Sequence, residues 1–185
     1  MIQEHVIDGP PLFLYLAYQA PHWPVQNPAG SEMRNMNMGK QRRKWCGLVS
    51  HLDDNIGRVF SALESKGMSE NLLFLALSDN GGDIRTGASN YPYRGDKMTP
   101  WEGGTKTPMF ISSYSKNIIP EHLRGSVNNG LGHVTDLFTT LISVGGGDAS
   151  PNKSGPIDGY NLWDSWMSSS SSSSPRKEMV YNIDQ

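Results

Sequence analysis

Residues 73–82 read LFLALSDNGG, the end of an apolar run that extends from Asn71 to Ser78 and leads into Asp79. The branched and aromatic residues of this run are typical of a buried strand. Asp79 and Asn80 place a carboxylate and an amide oxygen just past the strand end, where Gly81 and Gly82 permit a tight turn. Both oxygens suit Ca²⁺ or Mg²⁺. These residues alone favour an ordinary turn over a metal site, because Asp-Asn-Gly-Gly is also good turn chemistry.

Predicted strands and helices alternate on both sides of this stretch. The run PLFLYLAYQ, Pro11–Gln19, is predicted to be a buried strand that ends at Pro21. An apolar stripe from Trp45 to Leu63 predicts a long helix, with Gly67 as its terminating residue. A strand, a helix and a short closing element are predicted at Pro108–Ser112, Val134–Val144 and Ile157–Trp166. The alternation indicates an α/β fold, in which sites lie at the carboxyl ends of strands.

Composition excludes several classes of protein. The 185 residues carry a net charge of −2, which excludes the basic excess of a nucleic-acid-binding protein. The mean hydropathy is −0.49, and no apolar run approaches the roughly 20 residues that a membrane span needs. The single cysteine, Cys46, excludes an internal disulfide. The first residues, MIQEHVIDGPP, lack basic and apolar regions, so we predict no signal peptide in this chain.

Two further segments carry candidate chemistry. His22 lies in QAPHWP, directly after the first predicted strand, where a histidine could donate a proton to a leaving group. Arg94 and Lys97 lie in YRGDKMTPWEGG, where cations could neutralise sulfate or phosphate oxygens. Taken alone, each segment is better explained as an ordinary loop or a solvated surface. The region from Gly81 to Thr107 is, however, longer than a simple connection, and such loops are often functional.

The order of these blocks resembles the sulfatase family, and within it the arylsulfatase B group. The blocks are PLFLYLAYQAPHWP, RRKWCGLVSHLDDNIGRVFSALESKG, LFLALSDNGG and NYPYRGDKMTPWEGGTKTPMFISS, followed by GHVTDLFTTLI, PIDGYNLWDSW and SPRKEMVYNIDQ. The resemblance implies an alkaline-phosphatase-like mixed sheet sandwiched by helices. It also implies that Asp79 and Asn80 bind Ca²⁺ (or Mg²⁺), that Lys97 binds the sulfate group, and that His22 assists departure of the leaving group. Arg94 and the glycines around it match the family's structural frame.

One part of the family pattern is absent from this sequence. The family nucleophile is a formylglycine made from cysteine in a Cys-x-Pro-x-Arg motif, which these residues lack. Cys46 falls within the apolar stripe of the long helix, so we interpret it as a packed residue. We therefore expect the second half of a sulfatase catalytic domain, with the N-terminal half and its formylglycine absent and the chain inactive by itself.

The resemblance also implies how the chain is organised and where its parent acts. We predict a partial catalytic domain at residues 1–167, a flexible serine tract at 168–174 and the start of a C-terminal region at 175–185. We expect a lysosomal or secreted parent that hydrolyses a sulfated sugar or aryl sulfate. Asn152 begins an Asn-x-Ser glycosylation sequon, a short pattern that often arises by chance. Two alternatives stay open: a non-catalytic protein that binds sulfated glycans, and a phosphate or phosphonate ester hydrolase of the same superfold.

Overall fold

The computed structural model describes residues 1–28, 37–150, 155–168 and 174–181. The chain divides into two compact units, Met1–Ser113 and Tyr114–Gln185. No helix in the described ranges is long and apolar enough to cross a membrane. The glycosylation sequon at Asn152 and most of the predicted serine tract lie outside these ranges.

The first unit is built on one long helix, α1, which spans Lys40–Ser65 and confirms the helix predicted from the apolar stripe. Gly67 follows the helix with a φ of 73°, in the left-handed region that glycine adopts without strain. Its N–H donates to Glu64 O, and the next N–H, of Met68, donates to Leu63 O. These two bonds form a Schellman motif, so Gly67 ends α1 as predicted.

Two short strands pack beside this helix. Strand β1 (Phe74–Leu77) pairs antiparallel with β2 (Met109–Ser112), and Leu77 lies opposite Met109. Phe74 packs edge-on against Phe60 of α1 with ring centroids 4.9 Å apart. The pairing continues past the strands, because Ser78 N donates to Pro108 O. It therefore sets the residues that follow β1 beside those that precede β2.

The connection between the strands is mostly irregular. It contains a 3-10 turn at Ile84–Thr86 and one helical turn, α2, at Glu102–Thr105. The 3-10 turn is held against the start of α1, where Arg42 Nη1 donates to Gly87 O at 2.8 Å. This long loop is thus fixed at both its beginning and its end.

The strand predicted at Pro11–Gln19 is wrong: the structure assigns no strand to these residues. Phe13 and Tyr15 are 75% and 79% exposed. The only described strands are β1 and β2, and each pairs with the other. A run of branched and aromatic residues becomes a strand only when a neighbouring strand completes its hydrogen bonds, and no described strand does so here.

The second unit contains α3 (Val134–Val144) and the helical turn α4 (Trp163–Trp166), both within the predicted elements. A capping box begins α3: the His133 side chain accepts from the helix backbone, and Asp136 accepts from His133 N. The box satisfies backbone donors that the first helical turn leaves unpaired. Thr140, fully buried, donates to Asp136 O and accepts from Leu162 N, which joins α3 to the chain just before α4.

Candidate functional site

The exit of β1 turns sharply through the two candidate metal ligands. Asn80 N donates to Asp79 Oδ1 at 2.9 Å, and Ser78 Oγ donates to Asn80 O at 2.8 Å. The Asn80 amide donates through Nδ2 to Gly81 O at 2.9 Å. This bond fixes the amide orientation and leaves Asn80 Oδ1 without a hydrogen-bond donor among the described residues. The turn and the ligand interpretation are therefore compatible, since the turn bonds leave side-chain oxygens uncommitted.

These oxygens fit part of a hard-cation site. Asp79 is exposed and offers Oδ2 as well as Oδ1, and Asn80 offers Oδ1. Ca²⁺ takes about 6–8 oxygen ligands, so the pair could supply only a fraction of a shell. In the part of the chain that the structure describes, no group of three or more His, Cys, Asp or Glu residues is placed to hold a metal.

The neighbouring carboxylate, Asp83, is engaged elsewhere. Arg85 donates through Nε and Nη2 to the two oxygens of Asp83 at 2.9 and 2.8 Å. The hydrogen bond from Arg85 holds the pKa of Asp83 below its usual range against the opposing effect of burial, and the charge of Lys97 adds to the lowering. Asp83 is thus an ion-pair partner of Arg85, while Asp79 has no such partner among the described cations.

Glycines let three stretches of backbone meet beside this turn. Gly81 N donates to Gly104 O at 2.8 Å, and Gly103 N donates to Arg94 O at 2.7 Å. A Cβ built on Gly81 would overlap Gly103 O, and one built on Gly103 would lie 2.6 Å from Arg94 O. Backbone approaches of this kind require glycine. The glycines of DNGG and WEGG therefore serve one purpose, which is to bring their two loops together.

Lys97 is held next to the same turn. Thr99 N donates to Asp96 O at 3.1 Å, which makes Lys97 and Met98 the central residues of a tight turn. Met98 has a φ of 73°, in the left-handed region that a methionine rarely adopts. Lys97 N donates to Gly82 O at 3.3 Å. The lysine backbone is therefore tied to the residue that follows Asp79-Asn80-Gly81.

His22 reaches Lys97 from a distant part of the sequence. His22 Nε2 lies 3.2 Å from Lys97 Nζ, across 75 positions in the chain. His22 Nδ1 lies 2.6 Å from Trp23 O. A carbonyl oxygen can only accept, so Nδ1 carries a proton and Nε2 accepts from the lysine ammonium in the neutral ring. The structure thus brings His22 and Lys97 together and links both, through Gly82, to Asp79 and Asn80.

Arg94 is placed differently from Lys97. Its guanidinium carbon lies 3.8 Å from the centroid of the Trp101 ring, a cation–π contact. Its carbonyl accepts from Gly103 N. These contacts support the interpretation of Arg94 and Trp101 as parts of the frame around Lys97.

Sequence reasoning missed Asn90 in this region. Asn90 falls within the long loop from Gly81 to Thr107, where no motif marks it as a candidate. In the structure, the Asn90 side chain makes hydrogen bonds to both Gly82 and Gly95. No motif indicates this role, because the two partners are backbone groups 8 and 5 positions away whose approach depends on how the loop folds.

Comparisons with known proteins point in one direction. A family model described as Sulfatase matches residues 3–147. Arylsulfatase J of Mus musculus is 39% identical over 176 residues, which cover 94% of this chain and 28% of that protein. N-acetylgalactosamine-6-sulfatase of Rattus norvegicus is 34% identical over 157 residues, 82% of this chain and 28% of that protein. The chain therefore spans about a quarter to a third of the length of these curated relatives.

A comparison with solved structures also found a similar protein. The crystal structure of Ps i-CgsB in complex with k-i-k-neocarrahexaose superposes with a TM-score of 0.75 at 31% identity. The superposition covers 85% of this chain and 34% of that one.

Proposed function

The chain belongs to the sulfatase family, and on that basis we propose that its residues bind the sulfate group within a sulfuric ester hydrolase. The α/β sulfatase fold predicted from the sequence is confirmed, and the described residues contribute two antiparallel strands and their helices to it. The narrower arylsulfatase B assignment is not supported, since the relatives above are an arylsulfatase J and N-acetylgalactosamine-6-sulfatases.

The observation that carries the proposal is the His22–Lys97 pair beside the Asp79–Asn80 turn. The two side chains lie 3.2 Å apart, and the Lys97 backbone is bonded to Gly82. A sulfate ester reacts when its oxygens are neutralised and its leaving oxygen is protonated. A cation and a histidine placed side by side are suited to these two tasks.

Each residue takes a role that its contacts support. Lys97 holds sulfate oxygens with its ammonium, which carries three donors. His22 protonates the leaving oxygen from Nε2 as an imidazolium and returns to the neutral ring, because its Nδ1–H stays bonded to Trp23 O. Asp79 and Asn80 would hold Ca²⁺ or Mg²⁺, which would supply further positive charge to the sulfate oxygens.

The attacking group lies outside these roles. The 185 residues contain no Cys-x-Pro-x-Arg motif from which a formylglycine could form. Cys46 lies within α1, half-buried, with its sulfur 4.0 Å from the Met38 sulfur. We therefore assign Cys46 to packing, and propose that these residues by themselves do not turn over a sulfate ester.

We propose a sulfated sugar as the substrate class, within a lysosomal or secreted parent protein. N-acetylgalactosamine-6-sulfatase is named for a sugar sulfate, and the Ps i-CgsB structure contains k-i-k-neocarrahexaose. Two exposed aromatic residues follow site residues in the sequence: Trp23, 66% exposed, follows His22, and Tyr91, 91% exposed, follows Asn90. Such rings suit the apolar face of a sugar as well as an aryl group.

Titration calorimetry of the 185-residue chain with inorganic sulfate and Ca²⁺ tests the site assignment. We expect Lys97→Ala to weaken sulfate binding by about tenfold or more, because it removes a charge-assisted hydrogen bond. Lys40→Ala is the matched control, since it removes an exposed lysine from the start of α1. Equal sulfate affinity in the two variants would contradict the role of Lys97.

Three further measurements separate the alternatives. Tighter binding of phosphate than of sulfate would favour a phosphate ester hydrolase of the same superfold. Metal-dependent hydrolysis of an aryl sulfate by the 185-residue chain would contradict the proposal that the nucleophile lies outside it. A parent protein that binds sulfated sugars and hydrolyses none would favour the non-catalytic binding protein.

A further inference from the structure

One side chain in the long loop bonds to both loops that form the proposed site. Asn90 Oδ1 accepts from Gly82 N at 2.8 Å, and Asn90 Nδ2 donates to Gly82 O at 2.8 Å. The same Nδ2 lies 3.3 Å from Gly95 O, which accepts its second proton. The amide therefore pairs with Gly82 as a neighbouring β-strand would, and also reaches the turn that carries Lys97.

Gly82 is the point where these bonds converge. Its carbonyl accepts from Asn90 Nδ2 and from Lys97 N, and its N–H donates to Asn90 Oδ1. Gly82 lies two residues after Asn80, and Gly95 lies two residues before Lys97. One amide side chain thus holds the backbone on the ligand side to the backbone on the lysine side.

The position accepts few other side chains. The bonds need a donor and an acceptor on one planar group, which a carboxylate cannot supply because it only accepts. Glutamine has the same group on a longer stem, which would shift it by about one methylene. The site is also close-packed, since a Cβ on Gly82 would overlap Ala88 Cβ and lie 3.3 Å from Asn90 Oδ1.

We propose that Asn90 is a positioning residue that sets the distance between the Asp79–Asn80 turn and the Lys97–His22 pair. Asn90 would touch neither the sulfate nor the metal, and would act only through Gly82 and Gly95. The inference rests on the proposed function in one respect: the sulfate titration below assumes that the site binds sulfate.

Amide hydrogen exchange followed by NMR tests the positioning without any ligand. In Asn90→Ala, Gly82 N loses its acceptor and exchanges faster under any interpretation. The informative amide is Lys97 N, whose acceptor is Gly82 O rather than Asn90. We expect Lys97 N to lose protection by about tenfold and the His22–Lys97 side-chain contact to weaken. Unchanged Lys97 protection and an unchanged contact would overturn the proposal.

Asn27→Ala is the matched control. Asn27 is also a half-buried asparagine of the first unit, and its Nδ2 donates to Lys44 O at 2.7 Å. The substitution removes a hydrogen bond from a side-chain amide to a backbone carbonyl, as Asn90→Ala does, but the lost acceptor lies in α1 instead of the loop. Equal loss of Lys97 protection in both variants would mean general loosening and would overturn the specific role of Asn90.

Asn90→Asp provides a chemical rescue. At pH 7 the introduced carboxylate would accept from Gly82 N but face two carbonyl oxygens, so Lys97 N should lose protection. Once protonated, the carboxyl carries one donor and one acceptor, which restores the pairing with Gly82 but not the second donation to Gly95 O. We expect the protection factor of Lys97 N to recover toward wild type as the pH falls below about 3.9, the ordinary pKa of an aspartate carboxyl, in Asn90→Asp and not in Asn90→Ala. Absence of this recovery would contradict the pairing of the residue 90 side chain with both the N–H and the carbonyl of Gly82.

Sulfate titration then separates this proposal from the proposed function. If wild type binds sulfate, Asn90→Ala should bind it about tenfold more weakly and Asn27→Ala should bind it as wild type does. If wild type binds no sulfate but Asn90→Ala still releases Lys97 N, the positioning role holds and the sulfate assignment fails. If sulfate binding depends on Lys97 but not on Asn90, the assignment holds and the positioning role fails.

Discussion

The loop at residues 79–104 and the start of α3 are stabilised in different ways. Hydrogen bonds between backbone groups hold the loop together, whereas a buried ion pair holds the segment around Arg176 to α3. In the loop, Gly81 and Gly103 bond to neighbouring backbone. At α3, Arg176 donates through Nη2 and Nε to the two oxygens of Asp136 at 2.7 and 2.8 Å. Asp136 is 0% exposed and Arg176 10%.

The two regions use their charged groups in opposite ways. Asp136 accepts from Tyr160 N and His133 N in addition to Arg176, so both of its oxygens are occupied. Burial alone would raise the pKa of Asp136, but these hydrogen bonds and the Arg176 charge outweigh it and lower the pKa. Asp79 and Lys97, by contrast, keep side-chain atoms available. A carboxylate whose bonds are all used is structural, and one that keeps an oxygen uncommitted is a candidate ligand.

The largest expected effect on stability follows from breaking the ion pair. Arg176→Met should lower the free energy of unfolding of the second unit by about 3–5 kcal/mol, because it leaves Asp136 charged, buried and short of donors. Amide exchange of α3 peptides under increasing denaturant measures this.

Lys177→Met is the control, since it removes an adjacent exposed cation. A difference below about 0.5 kcal/mol between the two variants would show that the pair does not hold the segment.

A smaller effect is expected from crowding the glycine framework. Gly103→Ala should destabilise the first unit by about 1–3 kcal/mol, because its Cβ would overlap Gly95 O and the backbone must shift. Gly57→Ala lies mid-helix with nothing within 4 Å of the added Cβ, and should stabilise by up to about 1 kcal/mol. Urea denaturation of both variants gives the comparison. If both substitutions changed the free energy of unfolding in the same direction, the close backbone approach at Gly103 would not require glycine.

The ion pair also predicts how stability depends on pH. The pKa of Asp136 is lowered in the folded protein, so folding favours the carboxylate. The resulting stabilisation is fully present above the ordinary carboxyl pKa of 3.8, and is lost as the pH falls through the lower folded pKa. Denaturation of the second unit measured from pH 7 to pH 2 should therefore show a steep acid loss.

Asp136→Asn should flatten that dependence, whereas Asp164→Asn, which alters an exposed carboxylate, should leave it intact. Parallel acid profiles for wild type and Asp136→Asn would show that another group is responsible.

The smallest effect on stability is expected at Lys97. Lys97→Ala removes a side chain whose one described contact is to His22, itself exposed, while the backbone bond to Gly82 stays. The free energy of unfolding should change by less than about 0.5 kcal/mol, even though sulfate binding is weakened. If Lys97→Ala lowered the free energy of unfolding as much as Gly103→Ala does, Lys97 would be a structural residue of the loop. The loop and the start of α3 would then both use their charged groups for stability.

Much of the local structure was predictable because its signals are local. The apolar stripe predicted α1, Gly67 ended it, and the apolar runs located β1, β2 and α3. The site was only partly predictable. Asp79, Asn80, His22 and Lys97 drew attention as residue types next to strand ends and glycines, and their ligand and catalytic roles are proposals. Arg176 gave no signal because its partner Asp136 lies 40 positions away. Asn90 gave none because its backbone partners, Gly82 and Gly95, come within reach only through the fold of the loop.

By itself, the sequence determined α1 and α3, the apolar runs that become β1 and β2, and the glycine that ends α1, because periodicity, apolar runs and left-handed glycine depend on neighbouring residues alone. The family, too, could be recognised from the order of the blocks. Only the tertiary structure decided that His22 meets Lys97 across 75 positions, and that Arg176 meets Asp136 across 40. It also decided that Pro11–Gln19 forms no described strand, because a strand depends on a partner that no local pattern contains.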